Sequence, residues 1–188
     1  MPIDNLPETP SQTAGPYVHI GTLPVHIGFP PRPWEPSATL TAPGEKLVLD
    51  VLILDGIGAP VKDAMVELWQ ADSQGRVGDH GLWARGAAEF DTGETRFETV
   101  RPGALAWRDG RRQAPHVSLL LFARGINIHL HTRVYLPDDA AALADDPVLN
   151  RIEQVHRRVT MVAEAVAPNH YRHIIRLRGE AETVFLDM

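Results

Sequence analysis

From Glu45 onward the chain breaks into short apolar runs separated by turn residues. Leu47-Val-Leu-Asp-Val-Leu-Ile-Leu54 has the length and apolar density of a buried strand. Asp55-Gly56 and Gly58-Ala-Pro60 supply turn chemistry, and Ala64-Met-Val-Glu-Leu-Trp69 reads as the next strand. Further strands are predicted at 97–100, 116–122, 128–136, 159–166, 173–177 and 183–186. Many short strands with turns between them predict an all-β chain, an antiparallel β-sandwich with one or two short helices. One helix is expected where Asp146 can cap, Pro147 suits the first helical position, and Val148, Ile152, Val155 and Val159 follow at roughly helical spacing. Ala140–Ala144 offers a second short turn of helix, and 78–94, which holds Asp79, His80, Trp83 and Glu89, reads as an irregular loop.

Residues 1–44 follow no period and are rich in Pro and Gly. They read as an extended arm, and 45–188 as the sandwich domain. Tyr17, Ile20, Phe29 and Trp34 make the arm apolar enough to dock on a surface, here expected to be that of a partner chain.

At 188 residues the chain is long enough for one domain with a substantial core, and 44% hydrophobic with 22% charged residues is ordinary for a globular protein. A net charge of −6 argues against a nucleic-acid partner, and Arg111-Arg112 and Arg157-Arg158 read as solvated faces or small-anion contacts. No apolar run approaches a membrane span, and Met1–Pro10 lacks the basic and apolar parts of a signal peptide. Zero cysteine excludes disulfides, thiolate metal sites and a cysteine nucleophile, and fits a cytoplasmic location. No phosphate loop, dinucleotide fingerprint, nucleophile elbow or zinc-protease helix is present.

His129-Leu-His131 is a metal-binding pattern on a strand, since alternate residues share a face, but it needs a third ligand. Arg133 falls on that same face and would repel a cation. The face carries His129, His131, Arg133 and Tyr135. It is expected to meet solvent, an interface or a site, while Ile128, Leu130, Val134 and Leu136 face the core. A guanidinium beside two imidazoles can also receive an anionic aromatic acid, because its planar fork pairs with carboxylate.

Four motifs then occur in order. They are Asp55-Gly-x-Gly-x-Pro-Val-x-x-Ala-x-Val-Glu-Leu-Trp-Gln-Ala-Asp-x-x-Gly75, Phe97-x-Thr-Val-Arg-Pro-Gly103 with Trp107, Ala114-Pro-His-Val-Ser118, and Leu177-Arg-Gly-Glu-Ala-Glu-Thr-Val-Phe-Leu-Asp187. With Thr9-Pro-Ser-Gln-Thr-x-Gly-Pro-Tyr17 and Gly125-Ile-Asn-Ile-His-Leu-His-Thr-Arg-Val-Tyr135, the chain resembles the intradiol ring-cleaving iron dioxygenases over about residues 11–187. The resemblance implies cleavage of 3,4-dihydroxybenzoate by O2 to 3-carboxy-cis,cis-muconate, with Fe(3+) as cofactor held by two tyrosines and two histidines. In this sequence Gly75-Arg76 is followed by Val77, Pro102-Gly103 leads to Leu105, and the His-x-His pair reads His116-Val117-Ser118. Three of the four ligands are thus missing, and His116 is left as a hydrogen-bonded strand histidine. The resemblance therefore implies a subunit that binds no metal itself, paired with a homologous iron-binding beta chain in a larger αβ oligomer. It also implies that Thr13, Gly15, Pro16, Tyr17 and Arg133 line a shared substrate cavity. Two other readings remain open. One is a self-sufficient metalloenzyme using His129 and His131 with His80, His116 or His173; the other is a non-catalytic transthyretin-like binding module.

Overall fold

The computed structural model describes residues 12–15, 17–33 and 35–187. Met1–Pro10, Pro16, Trp34 and the start of the Thr9–Tyr17 motif lie outside the described residues.

Two four-stranded sheets pack face to face. The strands are β1 (Lys46–Leu54), β2 (Met65–Gln70), β3 (Leu82–Ala87), β4 (Glu94–Val100), β5 (Leu105–Ala106), β6 (Arg112–Gln113), β7 (His116–Phe122), β8 (Leu130–Tyr135), β9 (Glu164–Ala167) and β10 (His170–Arg176). One sheet runs β4-β1-β10-β9, the other β3-β2-β7-β8, and β5 and β6 form a separate hairpin. The pairing is antiparallel except for β1 with β10, which is parallel, so the first sheet is mixed. Alternate residues of each strand face inward. Leu47, Leu49, Val51, Ile53, Phe97, Tyr171 and Ile175 of one sheet thus meet Val66, Leu68, Val117, Leu119, Leu121 and Val134 of the other.

Several expected elements differ. The presumed loop at 78–94 contains β3, whose inward residues Ala84 and Gly86 are too small to give an apolar alternation. A Cβ on Gly86 would stand 2.7 Å from Thr95 Cγ2, so the position has room only for glycine beneath β4. The helix expected from Asp146 is replaced by two 3-10 segments, Leu149–Arg151 and Val155–Met161. Val155 and Val159 are 64% and 69% exposed, so the spacing built no buried face. The strand expected at 159–166 begins only at Glu164, and 183–186 forms no strand. A short helix does form at Ala140–Asp145 (α2), capped by Asp139, which accepts from the Ala142 amide at 2.9 Å.

The largest departure concerns β8. On its polar face His131, Arg133 and Tyr135 are buried within this chain and His129 is exposed, while Ile128, expected to face the core, is 78% exposed because the strand begins only at Leu130. A second apolar cluster of Ala114, Tyr135, Leu149 and Met161, flanked by Ala142, Leu143 and Leu186, packs against that outer face. Asp146, fully buried, organises it. Its carboxylate accepts from the amides of Ala114, Val148 and Leu149, each at 2.8 Å, and from the Tyr135 hydroxyl at 3.1 Å.

The arm contains a helix at Tyr17–Thr22 (α1) and partly docks on its own domain. Leu23 is buried, Arg85 donates to the Thr22 carbonyl at 3.0 Å, and 38–40 run beside β4 through the Leu40 amide to the Glu98 carbonyl and the Glu98 amide to the Ala38 carbonyl. Tyr17, Ile20, Val25, Ile27 and Phe29 remain exposed. Among the described residues no helix is long and apolar enough to cross a membrane.

Asp146→Ala removes the acceptor of three buried amides and a hydroxyl. It is expected to cost about 3 kcal/mol in chemical denaturation, since each orphaned buried donor costs ~1–3 kcal/mol. Asp145→Ala, at an exposed neighbour, should stay within about 0.5 kcal/mol.

Candidate functional site

The turn after β2 is built by Asp72. Its Oδ1 accepts from the amides of Gln74 and Arg76 and its Oδ2 from Arg76 Nε at 2.7 Å, an Asx-type closure of the loop. Gly75 stands at φ +79° on this turn, and a Cβ there would lie 2.3 Å from the Ala104 carbonyl oxygen. A Cβ on Gly103 would likewise fall 2.3 Å from the Gly75 nitrogen. The two glycines thus let the 72–76 turn and the segment before β5 touch backbone to backbone, and Gly103 donates to the Asp72 carbonyl at 2.9 Å. This contact brings Val77 of one segment beside Leu105 of the other.

His116 and Ser118 face the same side from β7. Buried Gln70 fixes the end of β2 nearby: its amide donates to the carbonyls of Ala71 and Val100, and its oxygen accepts from Thr99 at 3.0 Å, which ties the two sheets together. Val77, Leu105, His116 and Ser118 consequently line one cavity of about 280 Å³, with Trp69, Gln70 and Leu82 as further wall. Gln70 and Leu82 were not singled out from sequence; alternation along β2 is the only signal that could have marked Gln70.

Burial and the neighbouring Arg133 guanidinium push His116 down to about 4, so the ring is neutral near pH 7. Its Nδ1 lies 2.8 Å from the Ala114 carbonyl. A carbonyl only accepts, so Nδ1 carries the proton and Nε2 keeps a lone pair. The donor set does not fit ferric iron. Val77 and Leu105 carry no donor atom, Ser118 offers only a hydroxyl, and one imidazole cannot hold the ion.

Arg133 belongs to the same outer face, paired across the ladder with Ser118, while His116 pairs with Tyr135. It is only 7% exposed, donates to Gln113 Oε1 at 2.7 Å, and its Nε has no hydrogen-bond partner among the described residues. Gln113 had no mark in the sequence; the β5–β6 hairpin delivers it. His131 is lowered by burial and by Arg133, and its Nδ1 is likewise unpartnered. His129 sits beside it on a shallow cleft of Ile128, His131 and Asp187. Among the described residues no third His, Cys, Asp or Glu joins them in a metal-like group. His173 lies in the core, and His80 on the turn before β3.

The arm residues sit elsewhere. Thr13 accepts from the Gly125 amide at 2.8 Å on the β7–β8 turn, Gly15 accepts from the Val18 amide, and Tyr17 is 81% exposed. Thr22, at the end of α1, meets Arg85 and Met65, at the end of β2 opposite Gln70. Within this chain the structure therefore does not bring the arm residues together with the His116 cavity. Both do border the outer face of the β3-β2-β7-β8 sheet.

The model of the family described as "Dioxygenase" matches residues 35–179. The chain belongs to this family, the intradiol ring-cleaving dioxygenases. It is 48% identical over 200 aligned residues to the protocatechuate 3,4-dioxygenase alpha chain of Pseudomonas putida, covering all of both chains. The protocatechuate 3,4-dioxygenase beta chain of Burkholderia cepacia is 32% identical across 61% of this chain and 54% of its own length. Among solved structures, the dioxygenase domain of a dioxygenase–carbohydrate-binding fusion from Streptomyces sp. SirexAA-E superposes with a TM-score of 0.54 at 18% identity, over 84% of this chain and 95% of that one. That likeness speaks for the fold.

Two buried rings make stability depend on pH. Burial holds both His116 and His173 at about 4 in the fold, against 6.5 ordinarily. Below pH 6.5 the unfolded chain binds protons that the folded chain refuses, so stability is full above about 6.5 and falls until about 4. Each ring withdraws up to roughly 3 kcal/mol across that window. Urea denaturation between pH 7 and 4.5 should show the decline, and His173→Gln should make it about half as steep; an unchanged slope would show that His173 does not contribute.

Proposed function

We propose that this chain is the alpha subunit of a cytoplasmic protocatechuate 3,4-dioxygenase, with Fe(3+) held by a homologous beta chain. The observation that carries this reading is the cavity of Val77, Leu105, His116 and Ser118. Its walls converge where the family resemblance puts the iron ligands, yet they offer a single imidazole. A scaffold kept this closely without its donors makes sense when the metal is supplied by another chain. The full-length identity to an alpha chain and the partial identity to a beta chain support the same pairing.

On this reading the outer face of the β3-β2-β7-β8 sheet and the arm meet the partner. Exposed Tyr17, Ile20 and Phe29 give the arm apolar surface that a partner would cover. Within the shared cavity Tyr17 hydrogen-bonds toward the substrate, Thr13 assists, and Gly15 shapes the wall. Arg133 supplies positive charge for the carboxylate of 3,4-dihydroxybenzoate, and its unpartnered buried Nε is a donor in want of an acceptor. The αβ units associate further into a closed assembly.

The first test is metal content with visible absorption. This chain expressed alone should bind no iron and be colourless; co-expressed with its partner, it should give one iron per pair and a tyrosinate-type visible band. Iron tightly held by the isolated chain would sink the reading. In the assembled enzyme, Arg133→Ala should lower kcat/KM by on the order of ten-fold or more with iron content unchanged. Tyr17→Phe should do the same through the lost hydroxyl, on the order of ten-fold; unchanged kinetics would reduce Tyr17 to an arm residue.

A further inference from the structure

We propose that the cavity around His116 is itself a binding site, and that it takes an uncharged, single-ring phenol. The cavity's 280 Å³ is near the lower end of small-ligand pockets, about 300 Å³, and suits one six-membered ring. Its walls are mostly apolar: Trp69, Val77, Leu82 and Leu105. No Asp, Glu, Lys or Arg is among the residues lining it.

The polar equipment is small and directional. Gln70 lines the cavity, but its amide is already committed to Ala71, Val100 and Thr99. His116 is buried, and its Nδ1 is taken by Ala114. That leaves Nε2, on a ring that burial keeps neutral, as the free acceptor of the ring, since its one hydrogen bond among the described residues is through Nδ1. An imidazole acceptor on the wall of a mostly apolar cavity selects a guest with one good donor on a flat apolar body. A phenolic hydroxyl donates to Nε2, and Ser118, next on the same face of β7, adds a hydroxyl beside it. A carboxylate can only accept, as Nε2 does, so this acceptor gives it no hydrogen bond. The site thus differs in kind from the proposed shared cavity, where Arg133 receives an acid. Its chemistry does not call on the iron.

The test uses the full-length chain assembled with its partner, titrated with 4-fluorophenol, 4-fluorotoluene and 4-fluorobenzoate and followed by 19F NMR. A 4-fluorophenol binding event should vanish in Leu105→Trp, which fills the cavity, while iron content and assembly stay as in the wild type. Val77→Phe, at an exposed rim position, should weaken the same event and serves if Leu105→Trp fails to assemble. His116→Leu should weaken 4-fluorophenol about ten-fold and leave 4-fluorotoluene nearly unchanged, since only the phenol uses the acceptor. No 4-fluorophenol binding lost on filling the cavity, or 4-fluorobenzoate bound there as well as the phenol, would overturn the proposal. Because the readout is binding at this cavity, its failure leaves the iron-sharing reading standing, and the reverse also holds.

Discussion

The buried Asp146 carboxylate is the interaction on which the outer side of this molecule depends. Four donors from three separate segments converge on its two oxygens, the amides of Ala114, Val148 and Leu149 and the hydroxyl of Tyr135. A buried carboxylate is tolerable only when so satisfied. Once it is, it holds the 140–161 segment over β8. That strand is then covered on both faces, with Thr132 and Val134 toward the main core and Arg133 and Tyr135 toward the second cluster. Among the described residues no such cluster covers the β2 end near Trp69, which stays partly exposed beside the His116 cavity.

The cavity is held by bonds that need no metal. The Gly75–Gly103 backbone contact, the Asp72 turn and the three bonds of Gln70 set its rim from the polypeptide alone. Any side chain at either glycine would push the two segments apart, since a Cβ already lies within 2.3 Å of backbone. These constraints explain how the cavity keeps its shape with valine and leucine in its wall. A site whose geometry came chiefly from its metal would have no reason to keep that shape.

Much of this was legible in the sequence, and the reasons are specific. Long apolar runs such as 47–54 declared their strands because large residues alternate or crowd there. β3 did not, because Ala84 and Gly86 bury almost nothing that a pattern can register. Asp146 was marked as a cap and does accept from Val148 and Leu149. However, the carboxylate also takes Ala114 and Tyr135, contacts 11 or more residues apart that no local pattern encodes. The burial of Arg133 was missed for the same reason: its cover comes from segments distant in sequence. Val77, Leu105, His116 and Ser118 could be marked only through family motifs, because three of the four lack any chemistry that would draw notice.

The electrostatics of the face argue in the same direction as the proposed division of labour. Arg133 lies directly across the ladder from Ser118 and, together with burial, lowers the neighbouring His116. A trivalent cation in the His116 cavity would sit close to that guanidinium, in surroundings too dry to screen it well. Tyrosinate ligands would offset the repulsion only while the metal was present; without it, each would be a neutral buried phenol whose hydroxyl needs a hydrogen-bond partner. Valine and leucine remove that liability altogether. On the proposed reading, the absence of ligand side chains at Val77 and Leu105 and the presence of Arg133 belong together. A cation fixed permanently in the protein framework can serve an acidic substrate held by a partner's metal, at a position where it would disfavour a metal of the chain's own.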